Sequence, residues 1–127
     1  MIHFATIWRT RVYLAPDVWH RFRPIEAWHA ALPPMTPEEA AEVEAVYAGT
    51  RLRLPGDTSR PFRGPHYTVS PAGMFGSGSP GEVRLAVRGT LVLADAHLFR
   101  PPILRALAGV LRVGPTPYAL VLVLPDR

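Results

Sequence analysis

Apolar and polar positions alternate at the start of the chain. Ile2, Phe4, Thr6, Trp8, Thr10, Val12 and Leu14 fall on one side, and His3, Arg9 and Arg11 are among those on the other. A period of two predicts a strand. From Val18 to Leu32 the spacing changes, so that Trp19, Phe22, Ile25 and Trp28 share a helical face, with Asp17 as N-cap and Pro24 kinking or dividing the segment. This aromatic stripe reads as core. Thr36-Pro37-Glu38-Glu39 then offers a hydroxyl cap, a proline at the first helical position and acids in the first turn, which predicts a helix from Pro37 to about Ala48, stopped by Gly49.

From Thr50 to Pro80 the prolines, glycines and arginines predict a long connection, with short strands at Arg51 to Leu54 and His66 to Val69. Within it, Ser70 to Gly81 is crowded with glycine, proline and serine, and reads as an exposed, mobile loop without a regular element. Next come a turn glycine, Gly89, an apolar run from Thr90 to Ala94 and a carboxylate, Asp95. A buried parallel strand offers a residue to a ligand in this way at its carboxyl end. Pro102 to Leu111 carries Ile103, Leu104, Leu107 and Leu111 on one helical face and closes at Gly114, and Tyr118 to Leu124 is a continuous apolar strand. Strands alternating with helices predict a three-layer α/β sandwich with a mainly parallel sheet, formed as one domain over residues 1–127.

Composition narrows the functions. With 48% hydrophobic and 19% charged residues in 127, the chain is globular, and no apolar run is long enough to cross a membrane. The absence of cysteine removes disulfides and thiolate metal sites, and the amino terminus lacks secretory features, so a cytoplasmic location is expected. The net charge of +4 rests on arginine alone, the cation best suited to bidentate contact with phosphate or carboxylate. Either the arginines are dispersed surface, or some of them meet nucleic acid. His20 and His29 lack partners at metal-ligand spacing and are expected to be structural or superficial. The chain has no G-x-S-x-G elbow, no H-E-x-x-H helix and no cysteine nucleophile, which leaves Asp95 with His97 as the one acid/base pairing the sequence suggests.

Arg60-Pro61-Phe62-Arg63, Pro65-His66, Thr68, Pro80-Gly81-Glu82, Leu85-Ala86, Gly89, Leu91, Leu93 and Phe99 follow a specific pattern, and Leu32-Pro33-Pro34-Met35-Thr36-Pro37-Glu38-Glu39-Ala40-Ala41-Glu42-Val43 extends it upstream. In these residues the chain resembles the magnesium-chelatase-like AAA+ ATPases, in particular their ComM-type competence proteins. The resemblance covers about residues 11–124. It implies a P-loop-NTPase-like AAA+ core, with residues 1–10 as a remodelled amino-terminal element, residues 50–81 as the family's long insertion, and no residues for the helical lid.

The resemblance also implies where the nucleotide chemistry would lie. The family's phosphate-binding loop aligns with Ala15 to Phe22, where Asp17 adds like charge, Val18 and Trp19 fill glycine positions, Arg21 replaces the lysine, Phe22 replaces the metal-binding hydroxyl and Pro16 alone is retained. The acid pair that organises magnesium and activates water aligns with Ala94-Asp95, and the sensor asparagine has no counterpart. The expectation is a non-catalytic pseudo-ATPase with no cofactor and no metal, in which Trp19 plugs the empty cleft. Such a module would dock on an active AAA+ partner or on itself. Two alternatives stand beside it: a nucleic-acid accessory module using Arg60, Arg63, His66 and Tyr67, with Tyr67 in place of a family histidine, or an enzyme with a pocket near Asp95.

Overall fold

The structure, a computed structural model, describes residues 8–14 and 18–125, and for residues 18–21 the backbone alone. Strand β1 spans Thr10–Leu14, helix α1 Val18–Ala30, α2 Pro37–Tyr47, β2 Phe62–Arg63, α3 Pro71–Phe75, α4 Glu82–Leu85, β3 Thr90–Ala94, α5 Pro101–Val113 and β4 Ala119–Leu124. A single 3₁₀ turn, Ala96–Leu98, follows β3. The four strands form one sheet in the order β1-β4-β3-β2, and every pairing is parallel. Among the described residues no helix follows β4. This is the expected P-loop-NTPase-like α/β core.

Alternation along the central strands divides the core between the two faces of the sheet. Leu91 and Leu93 of β3 and Leu120 of β4 pack with Ile103 and Leu107 of α5, with Met74 of α3 and with Phe99. Val92, Val121 and Val123 face the other way and close over Ile25 of α1, with Phe22 and Tyr13 beside them. Both faces of β3 are therefore dry, which is why its sequence is a continuous apolar run rather than an alternation. At the flank, α2 packs Val43 and Val46 against Leu85 and Val87, and the Tyr47 hydroxyl donates to the Leu85 carbonyl at 2.6 Å.

Local chemistry explains most of the boundaries. At α2 the capping box is complete: the Glu39 N–H donates to Thr36 Oγ1 at 3.1 Å, and the Thr36 N–H donates to Glu39 Oε1 at 3.0 Å. The helix ends at Tyr47, two residues before Gly49, close to expectation. Pro24 does not divide α1, which runs through it from Val18 to Ala30.

The expected strands at Arg51 to Leu54 and His66 to Val69 are absent, and the two-residue strand β2 lies between them. The segment Ser70 to Gly81 also departs from expectation. Ser70 caps α3, its hydroxyl accepting the Gly73 N–H at 3.0 Å, and Met74 is fully buried under α5. Gly81 serves close approach here rather than flexibility, because a methyl group on it would overlap the backbone at Gly76. Of the alternating amino-terminal run, residues 1–7 lie outside the description, as do Pro16 and Asp17, the expected cap of α1.

Gly89 is the other position of close approach. A Cβ there would overlap the Pro61 carbonyl, to which the neighbouring Thr90 N–H donates at 2.9 Å, whereas a Cβ on Gly109 within α5 meets nothing within 4 Å. Replacing Gly89 by Ala is expected to destabilise the protein by about 1–3 kcal/mol through overpacking, and Gly109→Ala to stabilise it by about 0.5–1 kcal/mol through helix propensity. Urea denaturation of the two variants checks both signs.

Candidate functional site

Because every strand is parallel, the carboxyl ends of β1, β4 and β3 lie along one edge of the sheet, with Leu14 in register with Leu124, and Ala94 with Val123. Ligands of open α/β sheets bind at such an edge. Strand β1 ends at Leu14 and helix α1 begins at Val18, so a strand and the helix that follows it flank the positions aligned with a phosphate loop. The side chains of Pro16, Asp17, Trp19 and Arg21 lie outside the description, and with them the expected Trp19 plug. Phe22 is described. Its ring packs against the cluster of Ile25, Val92, Val121 and Val123, as an apolar side chain should and a metal-binding hydroxyl would not.

At the end of β3 the buried run stops at Leu93. Ala94 is partly exposed, and Asp95 adopts a left-handed backbone with φ 52° and ψ 50° before the 3₁₀ turn. Asp95 presents a carboxylate at this edge without a hydrogen bond to His97, which lies exposed within the turn. The strand does not continue past Ala94, so nothing aligns that pair on one face. Among the described residues no group of three or more histidines and acids is arranged to hold a metal ion.

The residues expected to line a partner or nucleic-acid surface lie elsewhere. Arg60 is not on the surface but buried, with 7% of its area exposed. Its guanidinium donates to Glu39 Oε1 at 3.1 Å and Oε2 at 3.3 Å, to the Pro33 carbonyl at 2.7 Å and to the Arg88 carbonyl at 2.9 Å, and lies over the Trp8 ring. Arg63 makes a bidentate pair with Glu82 at 2.8 and 2.7 Å. Of the four only His66 is exposed, and Tyr67 is partly buried against the cluster around Met74. Their rings stack at 4.1 Å, and His66 Nδ1 accepts the Thr68 N–H at 3.3 Å.

Sequence reasoning did not find the other half of this network. Glu39 was legible as a helix-capping acid, but no local spacing links it to Arg60, 21 residues away. His29 was expected to be structural, and it bridges α1 to this network. Its Nε2 meets the Arg60 carbonyl at 3.1 Å and must donate there, which leaves Nδ1 to accept from the Thr90 hydroxyl at 2.7 Å. Burial holds the His29 imidazole below its ordinary range, outweighing the raising effect of the bond to the Arg60 carbonyl, and the nearby Arg60 charge adds to the depression. For Glu39, burial acts to raise the pKa, but the bonds from Arg60 and the Thr36 backbone prevail and hold the carboxyl below its ordinary range.

The family model of the magnesium chelatase subunit ChlI matches residues 25–114, a region that holds α2, the Arg60 network and β3. The chain belongs to the magnesium chelatase ChlI family. The ChlI-type match begins at Ile25, beyond the positions aligned with the phosphate loop. The competence protein ComM of Haemophilus influenzae is 36% identical over 88 residues, which cover 65% of this chain and 17% of that protein. This ChlI-family chain thus spans about a sixth of the length of the curated relative it matches.

Replacing Arg60 by Met leaves Glu39 buried without its counter-charge and is expected to cost about 3–5 kcal/mol at neutral pH. The Glu39 contribution is present above the ordinary glutamate range and is lost as the pH falls through that range toward the lower folded value. The His29 contribution is likewise present above the ordinary histidine range and fades as the pH falls through it. Denaturation measured between neutral and acidic pH should therefore show stability falling in two stages, and the lower stage should vanish in Arg60→Met.

Proposed function

We propose that this ChlI-family chain is a non-catalytic binding or assembly module that docks on a complete AAA+ subunit or on a second copy of itself. The observation that carries the reading is at the carboxyl edge of the sheet. Phe22 is packed into the apolar cluster where a magnesium-binding hydroxyl would stand, and Ala94 takes the place of the metal-organising acid. Phosphoryl transfer depends on positioned charge, and neither residue supplies any. The lone Asp95 carboxylate, held in a left-handed turn without a metal-binding neighbour, does not restore that constellation.

Docking has its own support in β1, the edge strand of the sheet, where Val12 and Leu14 are 55% and 53% exposed. Among the described residues β1 has a sheet neighbour on one side only, and such an edge with apolar side chains is a template for another chain. The nucleic-acid alternative is weaker, because Arg60 and Arg63 are both held in ion pairs with glutamates. No described helix is long and apolar enough to cross a membrane, and the reading places the module in the cytoplasm, in keeping with a chain that has no cysteine.

Calorimetric titration with magnesium and ATP is expected to give no saturable heat at physiological nucleotide concentration. Micromolar binding, or turnover, would overturn the non-catalytic reading. Sedimentation velocity is expected to reveal concentration-dependent self-association, or co-sedimentation with an intact AAA+ relative, that Leu14→Glu weakens without loss of stability. If Leu14→Glu associates as the parent does, β1 is not the docking edge.

A further inference from the structure

At the opposite end of the sheet, away from the carboxyl edge, lies a cavity of about 440 Å³ between α2, α4 and α5. Its walls are apolar, with Val46 from α2, Val83 from α4, Val87 just beyond α4, and Val110 from α5. Val46 and Val87 belong to the buried cluster at the flank, whereas Val110 is 41% exposed, so this wall of α5 faces the cavity rather than another part of the chain. A site of this volume and lining has the character of a small-molecule pocket.

Two polar groups break the apolar lining in an informative way. Tyr118, immediately before β4, is 3% exposed, and its hydroxyl has no hydrogen-bond partner among the described residues. The hydroxyl oxygen itself stays open to solvent, so it is free to donate to a ligand. Burial pushes the Tyr118 phenol above its ordinary range, so it remains a neutral O–H donor at any physiological pH. Arg84, on α4, borders the cavity from the solvent side and makes no ion pair among the described residues. Glu42 also lines the cavity, and its charge is met by Arg88 at 2.8 Å. The features without a protein partner are one solvent-reached hydroxyl and one rim cation, set in apolar walls.

We propose that this cavity binds a small amphiphilic carboxylate. Its anionic end pairs with Arg84 at the rim, its aromatic or branched body lies against the valines, and an acceptor oxygen at its inner end receives the Tyr118 hydroxyl. The site is separate from the degenerate nucleotide edge and does not depend on whether that edge is active.

The test is an NMR titration of the ¹⁵N-labelled protein with 4-(4-methoxyphenyl)butyrate, its carboxamide, and 4-phenylbutyrate. The methoxy acid is expected to give saturable amide shifts at Val83, Val87 and Val110 with a Kd near or below about 1 mM, as suits a fragment-sized ligand. The carboxamide should bind about tenfold more weakly, the worth of one charge-assisted hydrogen bond, and Arg84→Gln should abolish the difference between acid and amide. Tyr118→Phe should weaken the methoxy acid by roughly threefold to tenfold, the worth of a neutral hydrogen bond, and leave 4-phenylbutyrate unchanged. The exposed Val110→Glu serves as a second variant if Tyr118→Phe does not fold, and it should remove binding. Equal binding of acid and amide, shifts centred on Ala94 and Asp95, or no saturation at about ten times the stated concentration would each overturn the proposal.

Discussion

A guanidinium cannot be buried without its hydrogen bonds and counter-charge, and most of the architecture around Arg60 can be understood as meeting that demand. Glu39 supplies the charge, the Pro33 and Arg88 carbonyls take further N–H groups, and the Trp8 ring covers the plane. Each partner belongs to a different part of the chain. The single residue therefore ties the approach to α2, the first turn of α2 itself, the turn before β3 and the amino-terminal segment into one geometry. Glu39 closes the α2 capping box with the same Oε1 that receives Arg60, so the start of that helix and the position of the loop carrying Arg60 are set together.

The residues that mark the family pattern have structural duties here. Pro61 and Gly89 form a close backbone contact at the amino end of β3, where the Thr90 N–H donates to the Pro61 carbonyl. Arg63 and Glu82, 19 residues apart, join β2 to α4. His29 carries the restraint across to α1 through Thr90 and the Arg60 carbonyl. A pattern of arginine, histidine and glutamate invites a chemical reading, but burial and pairing assign Arg60, Arg63 and Glu82 to scaffolding.

What the sequence disclosed follows from how local each signal is. The α2 boundaries were legible because Thr36, Pro37 and Glu39 act within one turn, and β3 and β4 because strands covered on both faces must be continuously apolar. Helix α3 was hidden because Pro71, Ala72 and Gly73 have loop composition, and its stability comes from burying Met74 beneath α5, a contact no window of sequence contains. Pro24 does not divide α1, because tertiary packing of Ile25 against Val92 and Val121 outweighs the missing backbone bond. At the candidate site, the apolar character of Phe22 and Ala94 could be seen in single letters. The withdrawal of Arg60 and Arg63 from the surface could not, since it depends on pairings across 21 and 19 residues.

The two ends of the sheet carry different obligations. At the amino end, Arg88, Gly89, Thr90 and Ala119 are bound by backbone hydrogen bonds to Pro117, Pro61 and one another, and the Arg60 network closes over them. A substitution there breaks several contacts at once. At the carboxyl edge, Leu14 is exposed and Ala94 and Leu124 are only partly covered. Side chains at such positions have little packing to lose, so a substitution there costs the core less than one at the amino end. Phe22 goes further, because an aromatic ring turned into the α1 cluster adds apolar burial that a hydroxyl in the same place would not.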